Sequence, residues 1–122
     1  MKIGLTLLVI LMPLFSLAQQ HQMLGLEVAK SELKDALVNK TDVKIKVDKV
    51  ISNKQTAIAV SEPILFKVYG KDQILQERPY EVYKINGYWV LNGTLPEGML
   101  GGGFLIILAA KDGQVLKLTH YK

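Results

Sequence analysis

The sequence predicts an α+β domain in which helices pack on a curved antiparallel meander sheet of four or more strands. Three observations carry that prediction. Helical periodicity dominates residues 24–69, whereas alternating or wholly apolar runs dominate residues 79–120. Short, breaker-rich turns join those later runs, so consecutive strands become antiparallel neighbours. Finally, Asn86-Gly87 stands between two apolar-polar alternations. A type I′ turn needs positive φ at both central residues, which Asn tolerates and Gly adopts freely, and this makes the dipeptide a strong hairpin signal.

In chain order, residues 1–18 read as an export signal. Lys2 supplies a positive start, residues 3–17 are nearly all apolar, and Ser16-Leu17-Ala18 offers small residues to a signal peptidase, with cleavage after Ala18. The run is shorter than the ~20 apolar residues of a bilayer span, and no cysteine follows it for lipid attachment. The expected location is periplasmic or secreted, free of the membrane after cleavage. Cleavage removes Lys2 and no acid, so the formal charge of +4 on 122 residues becomes +3 on the remaining 104. That length supports one core and not two. The expected organisation is a signal over residues 1–18, an N-terminal helix and short strand over 19–50, and the main domain over 51–122.

Residues 24–39 place Leu26, Ala29, Leu33, Ala36 and Leu37 at helical spacing among charged residues, which predicts a helix with one buried stripe. Residues 43–47 alternate β-branched residues with Lys44 and Lys46, the pattern of a short edge strand. Ser52 or Asn53 caps a second helix that runs to Tyr69 and stops at Gly70. Its apolar face is Ala57, Val60, Ile64, Leu65, Val68 and Tyr69, and Pro63 predicts a kink near Ala59 or two helical pieces. A polar connection over residues 71–76, anchored by Ile74 and Leu75, leads to the hairpin at about 79–85 and 88–94. After a glycine-rich loop, residues 104–108 are apolar without alternation, as in the centre of a sheet. Lys111-Asp112-Gly113-Gln114 turns the chain into a last strand at 115–120.

Composition excludes several classes of function. Arg78 is the one arginine and the lysines are scattered, so the clustered basic surface of a nucleic-acid binder is missing. Without cysteine there is no disulfide, thiolate metal site or cysteine nucleophile. Gly101-Gly102-Gly103 lacks the Lys-Ser/Thr of a phosphate loop and precedes a strand rather than a helix. His21 and His120 are far apart and form no metal pair. No catalytic residue, metal or cofactor is assigned.

The hairpin holds Trp89, the chain's one tryptophan, together with Tyr80, Tyr83 and Tyr88. So much aromatic surface faces either a core or a binding cleft. Arg78 likewise has two readings: a fork tying helix to sheet through Glu81 or a helical carboxylate, or an anchor for a partner's carboxylate. Arg78, Tyr80, Tyr88 and Trp89 are therefore the candidate partner-binding residues.

Motifs spaced along the second half carry a family resemblance. They are Thr56-Ala57-Ile58, Tyr69-Gly70-Lys71, Glu77-Arg78-Pro79-Tyr80, Asn86-Gly87-Tyr88-Trp89-Val90, Gly93-Thr94-Leu95-Pro96, Gly101-Gly102, Lys111-Asp112-Gly113-Gln114-Val115-Leu116-Lys117 and Thr119-His120. In order and spacing, residues 51–122 resemble the NTF2-fold immunity proteins, small proteins often encoded beside Rhs-type polymorphic toxins. The resemblance implies an NTF2-like, cystatin-like fold and a non-enzymatic protein that neutralises a cognate toxin by direct binding. With the export signal, the implied partner is a toxin or envelope protein met in the periplasm, and a homodimer through the sheet face stays open. Some NTF2-like proteins are enzymes or carriers whose pocket pairs a carboxylate with a tyrosine donor. In that alternative, a small-molecule-binding or isomerase-like protein, the candidates are Asp72, Glu77, Glu81, Tyr80 and Tyr83.

Overall fold

The computed structural model describes residues 2–13, 20–40 and 43–122. The expected cleavage site at Ser16-Leu17-Ala18 lies outside the described residues. Residues 2–13 form neither helix nor strand, and no described helix is long and apolar enough to cross a membrane. The chain divides into two compact units, residues 1–43 and residues 44–122.

The first unit contains α1 (Leu26–Val38), whose last turn closes with the Asn39 N–H donating to the Asp35 carbonyl at 2.8 Å. Lys30 meets Glu27 one turn earlier at 3.3 Å on the exposed surface. The helix forms as its periodicity predicts, but the expected buried stripe is not there: no residue of α1 is buried, and Leu26, Leu33 and Leu37 are all largely exposed. Periodicity decides which side of a helix is apolar; burial also needs a facing surface. The second unit closes its core with residues of its own.

The second unit departs from expectation at its start. Residues 43–46 are irregular and the chain bends at 47–48, so the edge strand expected at 43–47 is not formed. A strand needs a ladder, and the backbone donors that reach the sheet come later: Val50 N–H to Lys111 O at 3.2 Å and Ile51 N–H to Ala110 O at 2.9 Å. Helix α2 (Lys54–Tyr69) follows. The Asn53 side chain caps it by accepting the Thr56 N–H at 2.8 Å, and Gly70, at φ 93°, ends it. Pro63 does not divide α2. Pro63 and Ala59 both lie on the exposed side, where water can take up the carbonyl that the proline leaves without a donor. The buried line is Ala57, Ser61 and Leu65, spaced by four, while Val68 is about half exposed. The connection at 71–76 tightens into the short helix α3 (Lys71–Leu75), which buries Ile74 completely.

Four strands then form one antiparallel sheet in sequence order: β1 (Glu81–Ile85), β2 (Tyr88–Asn92), β3 (Phe104–Ala109) and β4 (Val115–His120). Asn86 and Gly87 take φ 49° and 82°, both positive as a type I′ turn requires, and Ile85 pairs with Tyr88 across it. A register shift between Ile107 and Leu108 sets β4 against β3 with a bulge. Trp89 and Leu91 of β2 alternate onto the same face as Phe104, Ile106 and Leu108 of β3. These join Ala57, Leu65, Ile74, Ile51 and Ala110 in one cluster between α2 and the sheet.

Candidate functional site

Two polar junctions lie where α2, α3 and the sheet meet. The first is built on Glu77, which follows α3 and is fully buried. A buried carboxylate is costly unless each oxygen is engaged, and here both are. The Phe104 N–H donates to Oε1 at 2.7 Å, while Oε2 lies 3.0 Å from His120 Nε2 and 3.3 Å from Gln73 Nε2. The His120 Nδ1–H donates to the Tyr121 carbonyl at 2.8 Å, which orients the ring with Nε2 toward the carboxyl. Tyr69 packs its ring on His120 at 5.3 Å between centroids. Two glycines make room for the carboxylate. A Cβ on Gly93 would run into Glu77 and Phe104, and one on Gly103 would come within 2.8 Å of Glu77 Oε1.

The second junction is a three-residue fork. Arg78 Nη2 meets Glu62 Oε2 at 2.5 Å, the Tyr80 hydroxyl donates to the same oxygen at 2.6 Å, and Arg78 Nε donates to the Tyr80 hydroxyl at 3.3 Å. Burial alone would raise the Glu62 carboxyl. The hydrogen bonds from Tyr80 and Arg78, with the charges of Arg78 and Lys71, outweigh it and hold the group below the usual carboxylate range. Burial, reinforced by the bond to Glu62, pushes the Tyr80 phenol up to about 12. The fork ties the sheet-side turn to α2, as one of the two sequence readings of Arg78 holds, and its helical carboxylate is Glu62 rather than Glu81. The Tyr80 ring also stands edge-on to Phe104 at 5.1 Å, which fixes it against the core. Beside the fork runs an open groove of about 530 Å³ between α2 and residues 78–80, lined by Lys54, Ile58, Arg78, Pro79 and Tyr80.

The four candidate partner-binding residues separate in space. Trp89 is buried at 6% exposure, with its indole N–H donating to the Ile51 carbonyl at 3.0 Å, so its ring belongs to the core. Tyr88 lies on the opposite face of the sheet, where Ile85, Val90, Ile107 and Leu116 surround a shallow depression of about 330 Å³. Arg78 and Tyr80 sit together at the fork. Among the pocket candidates only Glu77 is interior. Asp72 and Glu81 are exposed, and Tyr83 is half exposed with its hydroxyl on Glu81 at 3.2 Å. His120, considered in the sequence as a metal ligand, is the partner of Glu77 that sequence reasoning missed.

An antiparallel meander of four strands with a helix packed across one face is the α+β architecture of an NTF2-like fold. The chain belongs to the NTF2 fold immunity protein family, whose model matches residues 56–122. It is similar to two Escherichia coli K12 proteins, each described as an uncharacterized protein. It is 32% identical to YhhH over 80 residues, 65% of this chain and 63% of that protein, and 31% identical to YbbC over 80 residues, 65% of this chain and 66% of that one. The match thus spans less than two thirds of the length of either relative. No solved structure matches the chain.

Proposed function

We propose that this protein is an exported, non-enzymatic binding protein that neutralises a cognate toxin by direct contact in the periplasm. The observation that carries the reading is membership of the immunity family over residues 56–122. Two further observations support it. The interior carboxylate that an NTF2-like enzyme would use is engaged on both oxygens by Phe104, His120 and Gln73. The N-terminal apolar run ending at Ala18 supports export. A partner that is bound rather than transformed needs a rigid scaffold and an exposed surface, and the two junctions supply the rigidity.

The test is co-expression of the full chain with the product of the neighbouring gene, directed to the periplasm. The expected outcome is restored growth and a complex that survives purification. Absence of both protection and binding overturns the proposal. Growth restored only when the signal is deleted would overturn its location.

A further inference from the structure

The groove beside the fork has a chemistry that can be read from its walls. Lys54, Ile58 and Glu62 are spaced by four along α2 and therefore lie in one line. Arg78, Pro79 and Tyr80 face that line across the groove. Ile58, Pro79 and the Tyr80 ring form an apolar wall, held in place because Tyr80 is pinned at both its ring edge and its hydroxyl. Polar capacity is distributed unevenly. Glu62 Oε2 takes both the Arg78 and Tyr80 bonds, and the Tyr80 hydroxyl donates to Glu62 while accepting from Arg78 Nε. Glu62 is not among the residues that line the groove, so what the lining side chains offer a ligand is donor capacity. Lys54 Nζ and Arg78 Nη1 have no acceptor among the described residues, and Lys54 stands in the first turn of α2, where the positive end of the helix adds to its field. The groove volume of about 530 Å³ falls within the ~300–1,000 Å³ of sites that enclose small groups.

We propose that this groove docks a short acidic segment of a partner protein in which a carboxylate adjoins an aromatic or aliphatic side chain. The carboxylate meets Lys54 and the free guanidinium edge of Arg78, and the apolar group lies on Ile58, Pro79 and Tyr80. Arg78 already has Glu62 as a counter-charge, so the uncompensated charge of the groove is that of Lys54; a basic segment is repelled by it, and a purely apolar one leaves it unanswered. That the partner is a toxin rests on the function proposed above; the selectivity of the groove does not.

The probe is phenylacetate, titrated into nitrogen-labelled full-length protein and followed by backbone amide shifts. Benzyl alcohol and benzylamine serve as neutral and cationic counterparts of the same ring. Phenylacetate is expected to give saturable shifts in the millimolar range at Lys54, Ile58, Arg78 and Tyr80, and benzylamine none. Lys54→Glu adds an acid to the first turn of α2, where it favours the helix, so the variant folds, and it should weaken phenylacetate about threefold or more. Equal response to all three ligands, shifts confined to other residues, or unchanged affinity in Lys54→Glu overturns the proposal. Capture of the neighbouring gene product separates the two readings. Capture by wild type that is undiminished in Lys54→Glu refutes the groove as the contact while the toxin reading stands. Lys54-dependent binding of phenylacetate without capture refutes the toxin reading while the acidic-apolar selectivity stands.

Discussion

Replacing Glu77 by alanine tests whether the buried junction holds the fold together. The substitution leaves the Phe104 N–H, buried at the start of β3, without the acceptor now 2.7 Å away. An orphaned donor of this kind costs about 1–3 kcal/mol. It also removes the partner of His120 Nε2 and of Gln73, and empties the volume of the side chain between Gly93 and Gly103. Loss of one member of a buried, hydrogen-bonded pair costs up to about 3–5 kcal/mol, the upper figure holding where the pair is charged. That figure, which already contains the orphaned donor, is the expected loss. Domains of this size have total stabilities of about 5–15 kcal/mol. Glu77→Ala should therefore be close to unfolded, or melt lower by about 4–8 °C for each kcal/mol lost. Glu77→Gln is the informative companion. Its carbonyl still accepts from Phe104, and its amide can donate to His120 Nε2, so the loss should be about 1 kcal/mol. Urea unfolding followed by the fluorescence of Trp89, which is buried when folded, measures both. A loss below about 1 kcal/mol for Glu77→Ala, or equal losses for the two variants, would refute the account of Glu77 as a structural acceptor.

Gly93→Ala should destabilise by about 1–3 kcal/mol through overpacking. Because the new methyl collides with Glu77 itself, adding Glu77→Ala should cost less than the sum of the two single losses, a coupling that a double-mutant cycle in urea reads directly. The fork makes stability depend on pH at both ends. Glu62, held below its usual range, contributes stability that is present above the unfolded carboxylate pKa of about 4.3 and is lost as pH falls through the lower folded value. Unfolding midpoints of Glu62→Gln should therefore fall less steeply in acid than those of wild type. Tyr80 behaves in the opposite sense: its contribution is intact below the unfolded phenol pKa of about 10 and is lost as pH rises from there through about 12. A phenolate absorbance titration should show a tyrosine titrating at about 12 that Tyr80→Phe abolishes. Arg78→Lys keeps the charge but cannot reach the Glu62 carboxylate and the Tyr80 hydroxyl together, so its urea midpoint should fall slightly below that of wild type, a small shift because the site is half exposed.

What could be read from the residues depends on whether the signal was local. Asn86-Gly87 and the Gly70 stop are set by positive-φ backbone that few residues adopt, the Asn53 cap by a side-chain oxygen within reach of the Thr56 N–H, and all three appear as expected. The meander follows from connections that carry no helix between consecutive strands. The misses share one cause, since each needed knowledge of a facing surface. The leucines of α1 have the spacing of a buried stripe and none is buried, while residues 43–46 have the alternation of a strand and no ladder. Ser61 fills the middle of the buried line of α2, a polar residue that an apolar template passes over. At the candidate site, the fork could be foreseen because an arginine seeks a carboxylate and α2 offered one at the right face. The pairing of Glu77 with His120 crosses 43 residues, and nothing adjacent to either residue announces it. Trp89 was ambiguous in sequence because its ring suits a core and a cleft equally well, and the Ile51 carbonyl waiting for its N–H resolves it toward the core.

The position of Ile51 sets where the protein can be cut. The family match begins at Thr56. Ile51 nevertheless has no exposed surface, donates to Ala110 and receives Trp89, and Asn53 caps the helix in which Thr56 lies. A fragment or fusion joined at Thr56 would strip a side chain from the core, an acceptor from the indole and a cap from α2 in one stroke. Joined within residues 44–49, the same fusion leaves every one of these partners in place. The smallest part that keeps its core and caps intact is therefore longer at its leading end than its signature motifs indicate.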